Sequence, residues 1–230
     1  MQFSEAFPVS NGMDILGKIF GSQARVRIIR LFLFNPERVF DNREVGKRIQ
    51  ATVKTVAREA RLLKSGGLIK KKTATVTVRR RGAASRRTKQ GWTLNIKFPY
   101  LAALQNLVIN TVLLKDNEII ERLSGTGHIK FLVAAGVFIQ DLDSRVDLLV
   151  VGDRLKKTLI EGRIKKMESE IGRELRYSIF ETPDFQYRVS IYDKLVRDIL
   201  EFPHRTVVDK IGIRAPFTPL SAKPREMQLV

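Results

Sequence analysis

Ten side chains suited to binding a polyanion fall in two short stretches of the chain. The first group has helical spacing and contains three cations and one hydroxyl: Lys54, Thr55, Arg58 and Arg61. The second lies in residues 79–89, where six of eleven residues are basic: Arg79, Arg80, Arg81, Arg86, Arg87 and Lys89. Guanidinium and ammonium groups donate hydrogen bonds to phosphate oxygens, and arginine also binds the edges of bases. The two groups predict a surface that binds a nucleic acid.

The net charge is concentrated in the first half of the chain. The 230 residues contain 42 Lys and Arg against 24 Asp and Glu, a net charge of +18. Residues 1–100 hold 22 of these cations and 6 of the anions, whereas residues 101–230 hold 20 and 18. This asymmetry predicts one half that meets a polyanion and another half with a different role. The alternative is a solvated basic surface that binds no particular partner.

Other chemistries are excluded or weakly supported. The chain has no cysteine, so disulfides, thiolate metal sites and thiol catalysis are excluded and a reducing cytoplasm is favoured. No apolar run approaches the roughly 18–20 residues of a membrane span, and residues 1–10 lack the pattern of an export signal. His128 and His204 are too far apart in the sequence to suggest a shared site. Residues 125–127 (Gly-Thr-Gly) lack the lysine of a phosphate-binding loop. The sequence therefore predicts a cytoplasmic protein without a metal site or a cofactor.

Three helices are predicted in the basic half. Ser22 caps a helix that ends near Phe34, Asp41 caps a short second helix, and Thr52 caps a third that ends near Lys64. The third helix has an apolar stripe that consists of Val53, Val56, Ala57, Ala60 and Leu63. Its polar candidates project to the other side. The first glycine after it, Gly66, is predicted to take the left-handed conformation that ends many helices.

A β-hairpin is predicted next. Residues 68–78 favour one strand, and residues 91–98 favour the returning strand because apolar and polar residues alternate there. The apolar members of the returning strand are Trp92, Leu94, Ile96 and Phe98. The basic stretch 79–89 then forms the tip. Three helices followed by a basic-tipped hairpin predict a winged helix-turn-helix domain over residues 14–98.

Such a domain would bind double-stranded DNA. Its third helix fits the major groove, and a basic wing reaches phosphates or the minor groove. Thr55 and Arg58 are the candidates for base readout, and the six cations of residues 79–89 are the candidates for the wing. Considered alone, the third helix is equally compatible with an amphipathic surface helix. The tip is compatible with a solubilising loop or one that meets RNA or an acidic protein.

Two segments resemble ArsR-like winged-helix regulators. Residues 16–36 are similar to the opening of that domain, and residues 53–69 are similar to its recognition helix and the turn into the wing. The resemblance covers residues 14–98 and implies a transcriptional regulator, in many cases a homodimer. Metal sensors of this family use cysteine and histidine ligands, which this chain lacks at a usable spacing, so a metal response is not implied.

Residues 99–124 are predicted to link two domains. A helix over residues 101–114 carries apolar residues on one face, namely Leu101, Leu104, Val108 and Val112. This face either joins two protomers or packs on its own domain.

Residues 125–213 alternate between predicted strands and helices. The strands are predicted at 129–135, 145–152 and 174–180, and the helices at 155–171 and 191–200. This order resembles the minimal nucleotidyltransferase-like fold. The chain is therefore predicted to be α+β, with an N-terminal winged helix-turn-helix domain and a C-terminal mixed α/β nucleotidyltransferase-like domain. Residues 214–230 are predicted to be a flexible tail or a docking peptide.

The catalytic pattern of that fold is incomplete in this chain. Active members place a serine after a glycine that follows the first strand, and two aspartates one residue apart at the start of the second. Those aspartates share a face and hold a divalent ion. Here Gly136 is followed by Val137, and Arg145 stands in the first acidic position ahead of Asp147. The resemblance implies an inactive domain in which Asp147 is structural and pairs with Arg145 or Arg176.

Gly136, Arg145 and Asp147 nevertheless outline a degenerate nucleotide pocket. Asp141 and Asp143 precede the second strand in a turn and are not expected to replace the missing ligand. The chain is therefore predicted to be a DNA-binding regulator whose second domain senses a small-molecule or nucleotide effector, dimerises or contacts a partner. The alternative is an active, antitoxin-like nucleotidyltransferase whose basic domain holds a nucleic-acid or protein substrate.

Overall fold

The structure, a computed structural model, describes residues 12–80, 83–110, 114–141 and 143–213. For residues 12–14, 76–80, 83–87 and 110 it describes the backbone alone. The predicted α+β class is confirmed, because the described residues form nine α-helices, one short 3-10 helix and two small sheets. The chain divides into a first unit of Met1–Val112 and Lys165–Glu174 and a second unit of Leu113–Ile164 and Leu175–Val230. In the described ranges, no helix combines the length and apolar character needed to cross a bilayer.

Four helices open the first unit: α1 (Gly12–Ile19), α2 (Gln23–Phe34), α3 (Asn42–Ile49) and α4 (Val53–Ser65). The three predicted N-caps are confirmed. Ser22, Asp41 and Thr52 each accept, at a side-chain oxygen, a hydrogen bond from the backbone N–H three residues later. The first N–H groups of a helix have no partner inside it, so each cap determines where its helix begins.

The end of α4 differs from the prediction by one residue. Gly66 keeps a right-handed conformation with φ of −74°, whereas Gly67 is left-handed with φ of +80°. The N–H of Leu68 donates to the carbonyl of Leu63, and the N–H of Gly67 donates to that of Lys64, both at 3.0 Å. This pair of bonds requires the left-handed residue one position after the C-cap. The assignment of that conformation to Gly66 is therefore wrong.

A long antiparallel hairpin follows α4. Strand β1 (Ile69–Arg80) pairs with strand β2 (Ala83–Leu94). The register is continuous from Ile69 opposite Leu94 to Arg80 opposite Ala83. Most of the basic stretch 79–89 is therefore strand, because its residues from Ala83 onward have backbone partners on β1. The prediction that this whole stretch is a tip loop is wrong.

The returning strand also differs from the prediction at both ends, since β2 covers residues 83–94 and not 91–98. Trp92 and Leu94 are buried as the alternation predicts, but Ile96 lies beyond the strand and is exposed. Asn95 ends the strand, because its backbone and side-chain N–H groups bond the carbonyls of the two residues before β1. Pairing across the hairpin sets the ends of a strand, and alternation within one strand does not show them.

Helix α5 (Leu101–Asn110) packs on the first unit. Val108 is fully buried, and Leu101 and Leu104 lie half-buried against the same core. The centre of this core includes Val26, Ile28, Leu31, Phe32, Phe40, Val45, Ile49, Val56, Ala60, Ile69 and Leu94. The apolar face of α5 thus covers its own domain, which was one of its two predicted roles. Val112, the last predicted member of that face, lies outside the described residues.

The second unit is built on one mixed sheet. Its elements are α6 (Asp116–Arg122), β3 (His128–Ala134), a 3-10 turn (Gly136–Ile139), β4 (Leu148–Asp153), the first half of α7 (Lys157–Ile171), β5 (Tyr177–Glu181), α8 (Thr182–Ser190), α9 (Lys194–Glu201) and β6 (Arg205–Asp209). The strand order is β5-β4-β3-β6, with β4 parallel to β5 and the other neighbours antiparallel. All of β4 except its last residue is buried, as its unbroken apolar run predicts.

Four elements of the second unit begin later than predicted, α7 by two residues and the others by three, and one strand was not predicted. β4 begins at Leu148, β5 at Tyr177 and α9 at Lys194, each three residues after its predicted start. The start of α9 follows from its cap, because the Asp193 carboxylate accepts the N–H groups of the second and third residues of that helix. Strand β6, which was not predicted, pairs with β3.

The end of α7 and the residues after it belong to the first unit. A Cβ atom on Gly172, whose φ is +86°, would lie 2.6 Å from the backbone carbonyl carbon of Arg30. The buried guanidinium of Arg30 donates to the carbonyls of Val108 and Glu170, at 3.3 and 3.0 Å. Burial lowers the pKa of Arg30 to about 10; the charge of Glu170 opposes this shift and that of Arg27 adds to it. Residues distant in sequence thus pack against α2.

Candidate nucleic-acid interface

Helix α4 has a buried face and a cationic face. The buried face contains Val56, Ala60 and Leu63. Three cations are exposed, as helical spacing predicts: Lys54, Arg58 and Arg61. The predicted apolar stripe is wrong at Val53, which is exposed because it is the first residue of the helix and lies at the edge of the core. Ala57 is half-buried.

Thr55, the predicted partner of Arg58 in base readout, belongs to the helix cap. Its Oγ1 lies 2.9 Å from Oγ1 of Thr52, and its backbone N–H donates to the same Thr52 oxygen at 3.2 Å. The side chain is half-buried. Its hydroxyl therefore has a partner inside the protein.

Glu59 lies between two arginines at the edge of the cationic face. Nε of Arg25 donates to Oε2 of Glu59 at 2.9 Å, while Nε and Nη2 of Arg58 donate to Oε1 at 3.1 and 2.9 Å. Burial acts to raise the pKa of Glu59, but hydrogen bonds from Arg58 and Arg25 and their charges outweigh it, so the pKa lies below its usual value. Glu59 is therefore ionised at neutral pH. Sequence reasoning missed it, although it is the one acidic residue of residues 51–100.

Three consecutive lysines extend the cationic surface onto the hairpin. Lys70, Lys71 and Lys72 are exposed at the start of β1. The ammonium of Lys71 lies 5.8 Å from the centroid of the Trp92 ring, and the Trp92 indole N–H donates to Oδ1 of Asn42 at 2.7 Å. These lysines were not among the predicted contacts. The run of three cations at the start of the predicted strand was the signal that could have found them.

Lys89 is held by residues at the start of α3. Its ammonium pairs with Asp41 at 3.1 Å and with Glu44. Burial acts to lower the pKa of Lys89, but hydrogen bonds to Glu44 and Asp41 raise it overall. Burial acts to raise the pKa of Asp41, but hydrogen bonds from the Glu44 backbone and from Lys89 lower it overall. These two ion pairs connect β2 to the start of α3. They also occupy the ammonium of Lys89, which was a predicted wing contact.

The other predicted wing residues lie at the far end of the hairpin. In the backbone register Arg79 and Arg80 are opposite Ala84 and Ala83, and Arg86 and Arg87 are opposite Thr77 and Val76. The strands therefore bring these four residues close to the end of the hairpin, where β1 ends at Arg80 and β2 begins at Ala83. Arg81 lies outside the described residues.

In the second unit, Gly136 and Asp147 are in direct contact. A Cβ atom on Gly136 would lie 2.0 Å from Oδ1 of Asp147, and this oxygen accepts the backbone N–H of Val137 at 3.0 Å. Oδ2 accepts the backbone N–H and the Nε of Arg176, at 2.8 and 3.3 Å. The Asp147 side chain is fully buried, and both of its oxygens accept hydrogen bonds from the protein.

Arg145, the third residue of the predicted degenerate pocket, is engaged elsewhere. Its Nη1 lies 2.8 Å from Oδ2 of Asp198 on α9, and its side chain is 61% exposed. Of the two predicted partners of Asp147, the structure selects Arg176. Asp141 and Asp143 lie in a turn, where the N–H of Asp143 donates to Oδ1 of Asp141 at 3.1 Å. Across the described part of the chain, no cluster of three or more His, Asp or Glu side chains could hold a metal ion.

No protein-family model, no curated protein and no solved structure matches this chain at a significant level. Its function is therefore inferred from the side chains described above.

Proposed function

We propose that the first unit is a winged helix-turn-helix domain that binds double-stranded DNA, and that the protein is a sequence-specific transcriptional regulator. The observation that carries the proposal is the two-sided α4, which begins at the Thr52 cap, buries one face and exposes Lys54, Arg58 and Arg61. A helix of this kind fits the major groove, which is about 12 Å wide. Its cations meet phosphates along the rim and base edges inside.

Within α4 we assign different roles to the three cations. Lys54 and Arg61 are exposed and have no ion pair among the described residues, so they suit contacts to the DNA backbone. Arg58 is oriented by Glu59 and suits a base contact. Thr55 has its hydroxyl engaged by Thr52, which makes it a weaker candidate for base readout.

The hairpin formed by β1 and β2 serves as the wing in this proposal. Lys70, Lys71 and Lys72 supply positive charge at its base, and Arg79, Arg80, Arg86 and Arg87 supply it at the far end. A basic wing reaches phosphates or the minor groove next to the groove that holds the helix. Lys89 is removed from the contact set because its ammonium is paired with Asp41 and Glu44.

Duplex DNA is favoured over duplex RNA as the partner. The proposed contacts project from a helix of 13 residues, which needs a groove wide enough to admit it. The major groove of A-form RNA is deep and narrow, and side chains cannot reach the bases through it. A B-form duplex is therefore the better fit.

We further propose that the second unit has a nucleotidyltransferase-like fold without catalytic activity and serves effector sensing, dimerisation or partner contact. The supporting observation is the engagement of Asp147, whose oxygens accept hydrogen bonds from Val137 and Arg176. A divalent ion would have to displace these donors. Arg145 adds a positive charge at the first acidic position of active members, which opposes cation binding.

Selection of bound fragments from random double-stranded DNA tests the proposed function. We expect enrichment of one motif, and for a homodimer two inverted half-sites with centres about 10 base pairs apart. A fall in affinity with rising salt should accompany it, because each neutralised phosphate releases counterions. Absence of any enriched motif would contradict sequence-specific binding.

Incubation of the full chain with labelled nucleoside triphosphates and Mg²⁺ or Mn²⁺ tests the role of the second unit. We expect no transfer to DNA, RNA or protein. Transfer of the labelled nucleotide by the wild type would instead support the alternative, an active nucleotidyltransferase.

A further inference from the structure

We propose that Arg58 contacts a guanine through the outer edge of its guanidinium, and that Glu59 is the positioning residue that holds Arg58 for this contact. The inference rests on the proposed DNA-binding function. Beyond that function, guanine is the recognised base and Glu59 is the group that orients Arg58.

The guanidinium of Arg58 has one occupied edge and one available edge. A guanidinium carries five N–H donors in a planar fork. Nε and Nη2 both donate to Oε1 of Glu59, so the edge formed by these two nitrogens faces the carboxylate. The Arg58 side chain makes no other hydrogen bond among the described residues and is 69% exposed. The second edge, formed by Nη1 and Nη2, therefore presents two adjacent donors away from Glu59.

Two adjacent donors match guanine better than any other base in the major groove. Guanine presents two neighbouring acceptors there, O6 and N7, whereas adenine presents one acceptor beside an amino donor. Thymine presents one acceptor beside a methyl group, and cytosine presents a donor. Arginine has no acceptor, so an adenine amino group facing Arg58 would stay unpaired.

Glu59 supports this contact through its own burial and its second partner. The carboxylate is 1% exposed, and Arg25 of α2 holds its other oxygen at 2.9 Å. Glu59 is therefore anchored to the core, and it restricts the orientation of Arg58. A side chain that is already oriented loses less conformational freedom when it binds.

The charge of the cluster also favours contact with DNA. Two guanidinium groups share one carboxylate, so the three side chains carry a net positive charge. Arg58 is the more exposed of the two cations, which places the uncompensated charge on the side of Lys54 and Arg61. Glu59 can thus orient Arg58 without cancelling its attraction to DNA.

The test is binding of the full chain to duplexes that differ in one base pair. Each G·C pair of the selected site is changed to A·T, and affinities are measured for the wild type and for variants. We expect the wild type to prefer guanine at one position by about tenfold to a hundredfold. Arg58→Lys keeps the charge but removes the fork, and it should reduce this preference to about threefold or less. The control, Arg61→Ala, should weaken both duplexes equally.

Glu59→Gln distinguishes positioning from a purely structural role. It should reduce the guanine preference by about tenfold, because a bidentate contact depends on the orientation of the fork. The double variant, Glu59→Gln with Arg58→Lys, should show the same guanine preference as Arg58→Lys alone, since both changes act on one contact. If Glu59→Gln does not fold, Arg25→Lys supplies the second test and should give a smaller loss in the same direction.

The outcomes separate this inference from the proposed function. If the wild type enriches no DNA motif, the proposed function fails and the inference fails with it. If the motif exists but Arg58→Lys keeps the wild-type base preference, the guanine contact is overturned and DNA binding stands. If Glu59→Gln lowers only the melting temperature, its positioning role is overturned.

Discussion

The carboxylate of Asp147 accepts hydrogen bonds from both the backbone N–H and the Nε of Arg176, at 2.8 and 3.3 Å. Its other oxygen accepts the N–H of Val137, in the 3-10 turn after β3. The side chain therefore joins that turn to the residue that precedes β5. In this position an aspartate stabilises the fold of the second unit.

We expect Asp147→Asn to lower the free energy of unfolding of the second unit by about 3 kcal/mol, because loss of one partner leaves a buried network uncompensated. Urea unfolding followed by far-UV circular dichroism measures this change. The matched control is Asp184→Asn, which alters an exposed pair with Arg188 and should cost less than about 0.5 kcal/mol. Equal losses in the two variants would show that Asp147 is not a structural anchor.

Gly172→Ala should destabilise the first unit. The new Cβ would lie 2.6 Å from backbone atoms of Arg30 and Leu31, and the residue would keep an unfavourable positive φ. We expect a loss of about 1–3 kcal/mol. The fluorescence of Trp92, the one tryptophan of the chain and a part of this unit, reports its unfolding.

Gly162→Ala on α7 is the control for this change, because a Cβ there meets nothing within 4 Å. It should leave the first unit unchanged or stabilise α7 by up to about 1 kcal/mol, since alanine favours helix more than glycine does. If both variants were equally stable, the close approach of Gly172 to α2 would be in doubt.

The Asp41–Lys89 pair should make stability depend on pH at both ends of the range. The pKa of Asp41 is lowered, so its contribution is present above about pH 4 and is lost as the pH falls through the lowered value. The pKa of Lys89 is raised, so its contribution is present below about pH 10 and is lost as the pH rises through the raised value.

Lys89→Gln should weaken this dependence, because Asp41 loses Lys89 but keeps the hydrogen bond from the Glu44 backbone. The side chains of Asp41 and Lys89 are partly exposed, so the variant should lose less than about 1 kcal/mol of the free energy of unfolding near pH 7. This loss should become smaller toward pH 3. Urea unfolding between those values measures it, with the exposed Lys97→Gln as the matched control. If the difference in free energy of unfolding between the variant and the wild type did not change with pH, the pairing of Asp41 with Lys89 would be contradicted.

Replacement of Arg79, Arg80 and Arg81 by alanine should weaken binding to all DNA sequences alike. It should also flatten the dependence of log affinity on log salt by up to about 0.9 for each phosphate that the variant no longer neutralises. The control is a variant with the same change of charge on exposed residues of the second unit and the end of α7: Lys156, Lys157 and Lys165. An unchanged salt slope would show that the wing does not touch the DNA backbone.

Local features of the sequence were enough to predict where the first helices begin and which side of α4 is buried. An N-cap bond spans three residues, so Ser22, Asp41 and Thr52 specify their helices without reference to the rest of the chain. Helical periodicity likewise assigned Arg58 and Arg61 to the exposed side. The ends of β2 could not be predicted in this way, because backbone pairing with β1 determines them.

By itself, the sequence determined a strongly basic first half and a helix that exposes cations. Only the tertiary structure decided which charges meet. Glu59 binds Arg25 across 34 residues, and Asp147 binds Arg176 across 29. A buried charge requires a partner with suitable geometry. The chain has 42 cations, and their positions in the sequence do not show which of them lies within hydrogen-bonding distance of a given carboxylate after folding. For that reason Asp147 is paired with Arg176 while Arg145, closer in sequence, is paired with Asp198.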